Sequence, residues 1–85
     1  MIIDAFNIPD GTVIDSEICI VGGGAAGITL AKEFMGTSHH VCLLESGGLE
    51  EPEELTKVLS DGENLGLSYS KHVRSCRSLG GNTNF

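Results

Sequence analysis

Basic residues are scarce in this 85-residue sequence. It has five lysines and arginines against twelve aspartates and glutamates, and its formal net charge is −7 at pH 7. A nucleic-acid surface needs an excess of Lys and Arg to displace counterions from phosphates. We therefore expect no nucleic-acid partner, although three of the five basic residues, Lys71, Arg74 and Arg77, lie close together near the end of the sequence.

Long apolar runs and targeting features are also lacking. No stretch reaches the roughly 18 apolar residues typical of a transmembrane helix, and no basic segment of a secretory signal follows Met1. The three cysteines have no C-x-x-C spacing, and Cys19 and Cys42 fall in predicted buried strands, where free cysteine behaves as a small hydrophobe. A reducing compartment and a cytoplasmic location are the expected setting.

The pattern of histidines and cysteines predicts no metal site and no catalytic residue. His39 and His40 are adjacent, so they point in different directions, and no Cys, Asp or Glu completes a ligand set. A solvated turn is the better interpretation of this pair, and His72 is uninformative. Cys76 has no identifiable base beside it, which argues against a nucleophile.

Glycine, in contrast, is abundant, with 12 of the 85 residues. An apolar run from Ile18 leads into G-G-G-A-A-G, which contains the spacing Gly22-x-Gly24-x-x-Gly27. Gly22 permits the sharp turn after a strand, Gly24 lets a pyrophosphate approach the backbone, and Gly27 lets the next helix pack closely. The helix N-terminus then attracts phosphate. The alternative is a merely structural glycine turn.

A second apolar run ends on an acid at the distance that this fingerprint requires. Val41–Glu45 is predicted to be a strand that delivers the Glu45 carboxylate to the adenosine ribose, and a 2′-phosphate would be repelled, so NADP is disfavoured. Ser46 is expected to add a hydroxyl contact. The alternative for Glu45 is a solvated acid at a strand end.

These patterns predict an α/β fold, a Rossmann-type βαβ unit that binds FAD or NAD(P) within an incomplete three-layer domain. Two strands and one crossover helix leave sheet edges unpaired and one face uncovered. We expect residues 1–16 to be a lead-in and residues 17–85 to be the N-terminal, truncated part of an FAD-binding domain. The chain is then the N-terminal piece of a larger protein that begins at Met1 and continues beyond Phe85.

The predicted local structure follows from apolar spacing and turn residues. The predicted strand Glu17–Val21 should be covered on both faces. Gly36 should end the predicted helix, and the inner face of that helix should hold Gly27, Leu30, Ala31 and Phe34. The predicted elements are extended pieces around Ile2–Phe6 and Thr12–Ile14, a turn at Pro9-Asp10-Gly11, strand Glu17–Val21, helix Ala25–Met35, strand Val41–Glu45 and a short helix Pro52–Leu59.

Glycines cluster in three blocks, 22–24, 47–48 and 80–81, and the third block lies near the end of the sequence. Gly80 and Gly81 precede Asn82, Thr83 and Asn84, and such a loop offers N–H groups to an anion or a ring edge. An ordinary surface turn is an equally good interpretation of this block. For Lys71, Arg74 and Arg77, solvated side chains are favoured over contacts with the pyrophosphate.

Taken in order, three blocks resemble the N-terminus of the glucose–methanol–choline (GMC) oxidoreductases, FAD-dependent enzymes that oxidise alcohols and sugars. The resemblance spans residues 14–85 and is carried by I-C-I-V-G-G-G-A-A-G-I-T-L-A, V-C-L-L-E-S-G-G and R-S-L-G-G-N-T-N-F. It implies that Gly22, Gly24, Ala25 and Gly27 surround the FAD pyrophosphate and that Glu45 holds the ribose. The glycines 80–81 and residues 82–84 then run along the pyrophosphate toward the isoalloxazine.

The resemblance also implies what this sequence does not contain. Some relatives attach FAD through a histidine where this sequence has Phe85, so dissociable, non-covalent FAD is expected. The family's catalytic histidine, its His or Asn partner and the substrate domain, which binds the alcohol or sugar, lie beyond the sequence. The isolated chain is therefore expected to be inactive and to fold poorly alone. The alternatives are the βαβ unit of an NAD-dependent dehydrogenase or of a two-dinucleotide flavoprotein, or a non-catalytic truncated product.

Overall fold

The computed structural model describes residues 1–50, 57–58, 62–63, 65–68 and 76–84. The predicted helix at 52–59 lies outside the described residues except for Lys57 and Val58, which are helical. No helix in these ranges has the length and apolarity needed to cross a membrane. The elements are a 3-10 helix Ala5–Asn7, strand β1 (Ile18–Val21), helix α1 (Ala25–Glu33), strand β2 (Val41–Leu44) and a 3-10 helix Gly81–Asn84.

The central unit is a parallel pair of strands joined by one helix. β1 and β2 pair in a register that sets Ile18 opposite Val41 and Val21 opposite Leu44. Two parallel strands need a crossover connection, and α1 provides it, with contacts to both strands. The predicted α/β unit is confirmed at this level, a two-stranded parallel sheet with one helix, and each predicted strand is one residue longer than the observed one.

Helix α1 begins where predicted and ends two residues earlier than predicted. Gly24 is its N-cap, and Phe34 is its C-cap, with an N–H that donates to the carbonyls of Ala31 and Lys32. Gly36 follows at φ +77°, a left-handed conformation that glycine adopts without strain. The helix therefore stops before Gly36, and the predicted role of this glycine is confirmed.

The sheet is covered on one face, as expected for two strands and one helix, and not on both faces as the apolar run of the first strand predicted. Ile20 faces α1 and is 7% exposed, the one buried apolar side chain among the described residues, whereas its neighbour Val21 is 83% exposed. Successive side chains of a strand point to opposite faces, so Cys19 shares the open face with Val21. The prediction that Cys19 is buried is wrong, because a single helix covers only one side of the pair, and Cys42 is half-buried.

Two further predictions of local structure need correction. Within the predicted inner face of α1, Gly27, Ala31 and Phe34 are half-buried, but Leu30 is exposed, because it lies at the margin of the stripe that meets the sheet. In the lead-in, the extended piece expected around residues 2–6 instead ends in the 3-10 helix, which Asp4 caps by accepting the Phe6 N–H.

The predicted turn at Pro9-Asp10-Gly11 is confirmed. The Thr12 N–H donates to the Pro9 carbonyl at 3.2 Å, and Gly11 takes φ +80° at the third position, where a turn of this kind requires positive φ.

Candidate functional site

The glycine-rich turn lies at the carboxyl end of the sheet. Gly22 continues the ladder by donating its N–H to the Leu44 carbonyl at 2.7 Å, and its φ of +106° turns the chain out of β1. A Cβ on Gly27 would overlap the Gly22 carbonyl oxygen, whereas a Cβ on Gly24 would meet no atom within 4 Å. Gly27 thus permits close helix packing, and Gly24 leaves open space beside the helix N-terminus.

The first turn of α1 offers free donors next to that space. The Ile28 N–H donates to the Gly24 carbonyl at 2.9 Å and closes the first helical hydrogen bond. The N–H groups of Ala25, Ala26 and Gly27 therefore have no acceptor within the helix. These donors and the positive end of the helix dipole make this corner favourable for an anion.

Glu45 follows β2 and connects two loops through its carboxylate. Its Oε2 accepts the Gly23 N–H at 2.6 Å, and its Oε1 accepts the Gly47 N–H at 2.7 Å. An ionised carboxylate can accept about four hydrogen bonds. The Glu45 side chain therefore holds the glycine turn and the segment after β2 together.

The same bonds favour the charged form of Glu45. The Gly47 N–H is the largest cause of a lowered pKa for this carboxyl, partial burial opposes it, and the N–H of Gly23 and the N–H and hydroxyl of Ser46 lower the pKa further. Hydrogen bonds from donors stabilise the ionised carboxylate. The site thus holds one fixed negative charge beside a helix N-terminus.

Ser46 links Glu45 to a basic residue from the far end of the chain. Its hydroxyl lies 3.4 Å from Glu45 Oε1 and accepts a hydrogen bond from Arg77 Nε at 3.0 Å. The predicted hydroxyl contact of Ser46 is thus directed to protein groups, although one lone pair of its oxygen remains for a ligand. Arg77 has intermediate exposure, and its bond to Ser46 is a contact that the sequence did not predict.

The third glycine block lies directly against the first. Parallel bridges join Gly24 to Gly80 and Gly48 to Ser78, and the Gly80 N–H donates to the Gly23 carbonyl at 2.7 Å. A Cβ on Gly81 would lie 3.4 Å from the Gly24 Cα, and Gly81 takes φ +57°. Segments that are more than 50 positions apart in the sequence therefore meet at one corner of the fold.

The polar residues after these glycines brace their own loop. Asn82 Oδ1 accepts the Cys76 N–H at 2.6 Å, and the Thr83 hydroxyl donates to the Gly80 carbonyl at 2.6 Å. The backbone of Asn84 ends the 3-10 helix that Gly81 begins. Asn82 and Thr83 thus shape the loop, and this part of the chain presents mainly backbone toward Gly24.

Sequence reasoning missed four residues that build this corner. A Cβ on Gly47 would collide with the backbone of Arg77 and Ser78, and a Cβ on Gly23 would lie 2.9 Å from Leu79 Cδ1. The sequence did contain a signal for Gly23 and Gly47, because both are glycines of the motifs G-G-G and E-S-G-G to which no role had been assigned. Nothing local in the sequence marked Leu79 or Ser78, which is 2% exposed and has a hydroxyl oxygen without a protein partner.

The paired histidines His39 and His40 lie away from this corner. At the amino end of the sheet, His39 Nδ1 is 3.7 Å from Glu17 Oε2, and the Phe34 ring meets the His39 ring edge-on. Within the described ranges, no three His, Cys, Asp or Glu side chains are grouped to hold a metal ion. Lys71, His72 and Arg74 lie outside the described residues.

No protein-family profile, curated protein or solved structure matches this chain. The likeness to GMC oxidoreductases therefore rests on the three sequence blocks alone.

Proposed function

We propose that this chain forms the FAD-binding N-terminal part of a flavin-dependent oxidoreductase that acts on CH–OH groups of alcohols or sugars. The observation that supports the proposal is the meeting of the three glycine blocks, 22–24, 47–48 and 80–81, at one end of a parallel strand pair. Ligands of parallel α/β sheets bind beyond the carboxyl ends of the strands.

The residues at this corner fit the ADP half of the cofactor. Open space at the Gly24 Cβ position and the unbonded N–H groups of the first turn of α1 suit a pyrophosphate. The Glu45 carboxylate, oriented by Gly23 and Gly47, suits ribose hydroxyls and disfavours a 2′-phosphate. In this arrangement Gly80 and Gly81 hold the glycine turn from the side.

FAD, when bound, supplies the hydride acceptor for oxidation of the alcohol carbon, and the chain supplies binding and orientation. Its backbone N–H groups hold the pyrophosphate, and Glu45 remains ionised to accept ribose hydroxyls. No catalytic base is assigned to this chain, so purified chain should reduce no dye in the presence of an alcohol or sugar. Sustained dye reduction would contradict this assignment.

The alternative of a nicotinamide dehydrogenase uses the same βαβ unit. The contact of Gly80 with the glycine turn favours FAD over that alternative, because this third block belongs to the GMC resemblance and not to the dinucleotide fingerprint. A chain that binds NAD and discriminates against FAD would favour the alternative.

Gly24→Ala is the sharpest test of cofactor binding. Its φ of −77° suits alanine and its Cβ position is empty, so the fold should tolerate the methyl group while a pyrophosphate would meet it. We expect FAD and ADP to bind the chain with similar affinity in calorimetric titrations. We expect Gly24→Ala to weaken both by about tenfold or more, that is about 1.4 kcal/mol, with unchanged circular dichroism.

Gly62→Ala is the matched control. Gly62 also has an empty Cβ position and no positive φ, and it belongs to none of the three glycine blocks. The Gly62→Ala substitution should leave the affinities for FAD and ADP unchanged. In the wild-type chain, 2′-phospho-ADP should bind more weakly than ADP. Equal binding of ADP to wild type and Gly24→Ala, or a folded chain that binds neither ADP nor FAD, would refute the proposal.

A further inference from the structure

The open face of the sheet carries two cysteines opposite each other. The register pairs Cys19 of β1 with Cys42 of β2, and register partners on neighbouring strands point to the same face. Both cysteines are free, Cys19 is exposed and Cys42 is half-buried. We propose that Cys19 and Cys42 form a two-thiolate binding site for a soft monovalent metal ion, Cu(I), independent of the proposed cofactor site.

Strand spacing fits a bridging ion better than a direct disulfide. Neighbouring strands lie about 4.7–4.9 Å apart, and parallel side chains at register partners leave the sheet in the same direction. A disulfide prefers Cβ atoms about 3.5–4.5 Å apart, slightly closer than this spacing. A thiolate–metal bond is about 2.3 Å long, as in zinc sites, so an ion midway between the sulfurs spans roughly this spacing.

The ligand number selects the kind of ion. Structural zinc requires four ligands, whereas no group of three metal-binding side chains occurs in the described part of the chain. Soft thiolates favour Cu(I), which two sulfurs in line can hold. Two thiols each lose a proton and both sulfurs bind the ion, so one Cu(I) enters and two protons leave without a change of oxidation state.

The test is an anaerobic Cu(I) titration of the purified chain in competition with a coloured Cu(I) chelator. We expect one tight site per chain and release of two protons per ion. Because the second sulfur binds intramolecularly, Cys19→Ser and Cys42→Ser should each weaken binding by roughly 10²–10⁴-fold. Cys76→Ser is the matched control and should bind as wild type does.

A register variant tests whether Cu(I) binding requires the two cysteines to be register partners in the sheet. The alternative is that any two thiols of a flexible chain bind the ion. Cys19→Ser combined with Val21→Cys retains three thiols and the same face, but it moves one sulfur about 6.6 Å along the strand. This variant should lose affinity as Cys19→Ser does. Wild-type affinity in the register variant, an equal loss in Cys76→Ser, or a complex with one Cu(I) per two chains in light scattering would each overturn the proposal.

Discussion

The two ends of the small sheet each carry a glutamate that accepts backbone N–H groups, yet they are built differently. At the amino end, Glu17 Oε2 accepts the His40 N–H at 2.8 Å, and the Glu17 side chain is 61% exposed. At the carboxyl end, both oxygens of half-buried Glu45 are engaged by Gly23 and Gly47. Glu17 joins the two chain segments that lead into the strands, whereas Glu45 joins loops that also contact a third segment.

The difference lies in how closely the backbones approach. Around Glu45, a Cβ on Gly47 would meet the backbone of Arg77, and a Cβ on Gly27 would meet the backbone of Gly22. Glycine is what allows such contacts. At the amino end, the N–H groups of Glu17 and Ile18 donate to the His40 carbonyl, and the exposed Glu17 side chain accepts the His40 N–H. Order at one end of the sheet therefore depends on glycine packing, and at the other on exposed polar contacts.

Gly47→Ala should produce the largest effect, because it inserts a methyl group into the backbone of residues 77–78 at the carboxyl end. Overpacking of this kind costs about 1–3 kcal/mol of unfolding free energy, and it should release the third segment from the sheet. Urea unfolding and amide hydrogen exchange at Leu79 and Gly80, which donate to Gly48 and Gly23, measure this.

Gly48→Ala is the adjacent control. The nearest atom to its Cβ position is the Glu50 carbonyl oxygen at 3.6 Å, an ordinary contact. We expect its unfolding free energy to fall by much less than that of Gly47→Ala. Equal losses in the two variants would mean that close backbone approach does not order the carboxyl end.

Glu45→Gln and Glu17→Gln compare the two glutamates directly. The amide retains one acceptor oxygen, so Glu45→Gln keeps one of two backbone bonds and points an NH₂ group at the other N–H. The expected loss is about 1 kcal/mol for Glu45→Gln and at most about 0.5 kcal/mol for exposed Glu17→Gln, both from urea unfolding. A larger loss at Glu17 would reverse the comparison.

Local patterns predicted the elements of this corner. Short apolar runs, helical spacing and glycine spacing located β1, α1 and β2 to within two residues, because these patterns are local properties of a chain. The role of Gly27 in close helix packing was also predictable, since the fingerprint itself encodes the approach of α1 to the turn.

Contacts between distant segments were not predictable from spacing. The bond between Arg77 and Ser46 spans 31 positions, and the clash that requires glycine at position 47 is with backbone from the same distant segment. The open face of the sheet was predicted in general, but burial of Cys19 was inferred from an apolar run that is equally compatible with one covered face. Such runs report composition and not the number of layers.

Acid should produce the smallest effect, on the difference in stability between wild type and Glu45→Gln. The folded chain lowers the Glu45 pKa, chiefly through the Gly47 N–H, so it binds this proton less tightly than the unfolded chain does. The resulting stabilisation is complete above the unfolded-state pKa, about 4.3, and is lost as the pH falls through the lower folded-state pKa. In urea unfolding at pH 7 and at lower pH, the stability difference between wild type and Glu45→Gln should therefore shrink in acid. A difference that stays constant over this range would mean that ionisation of Glu45 does not hold the two loops together.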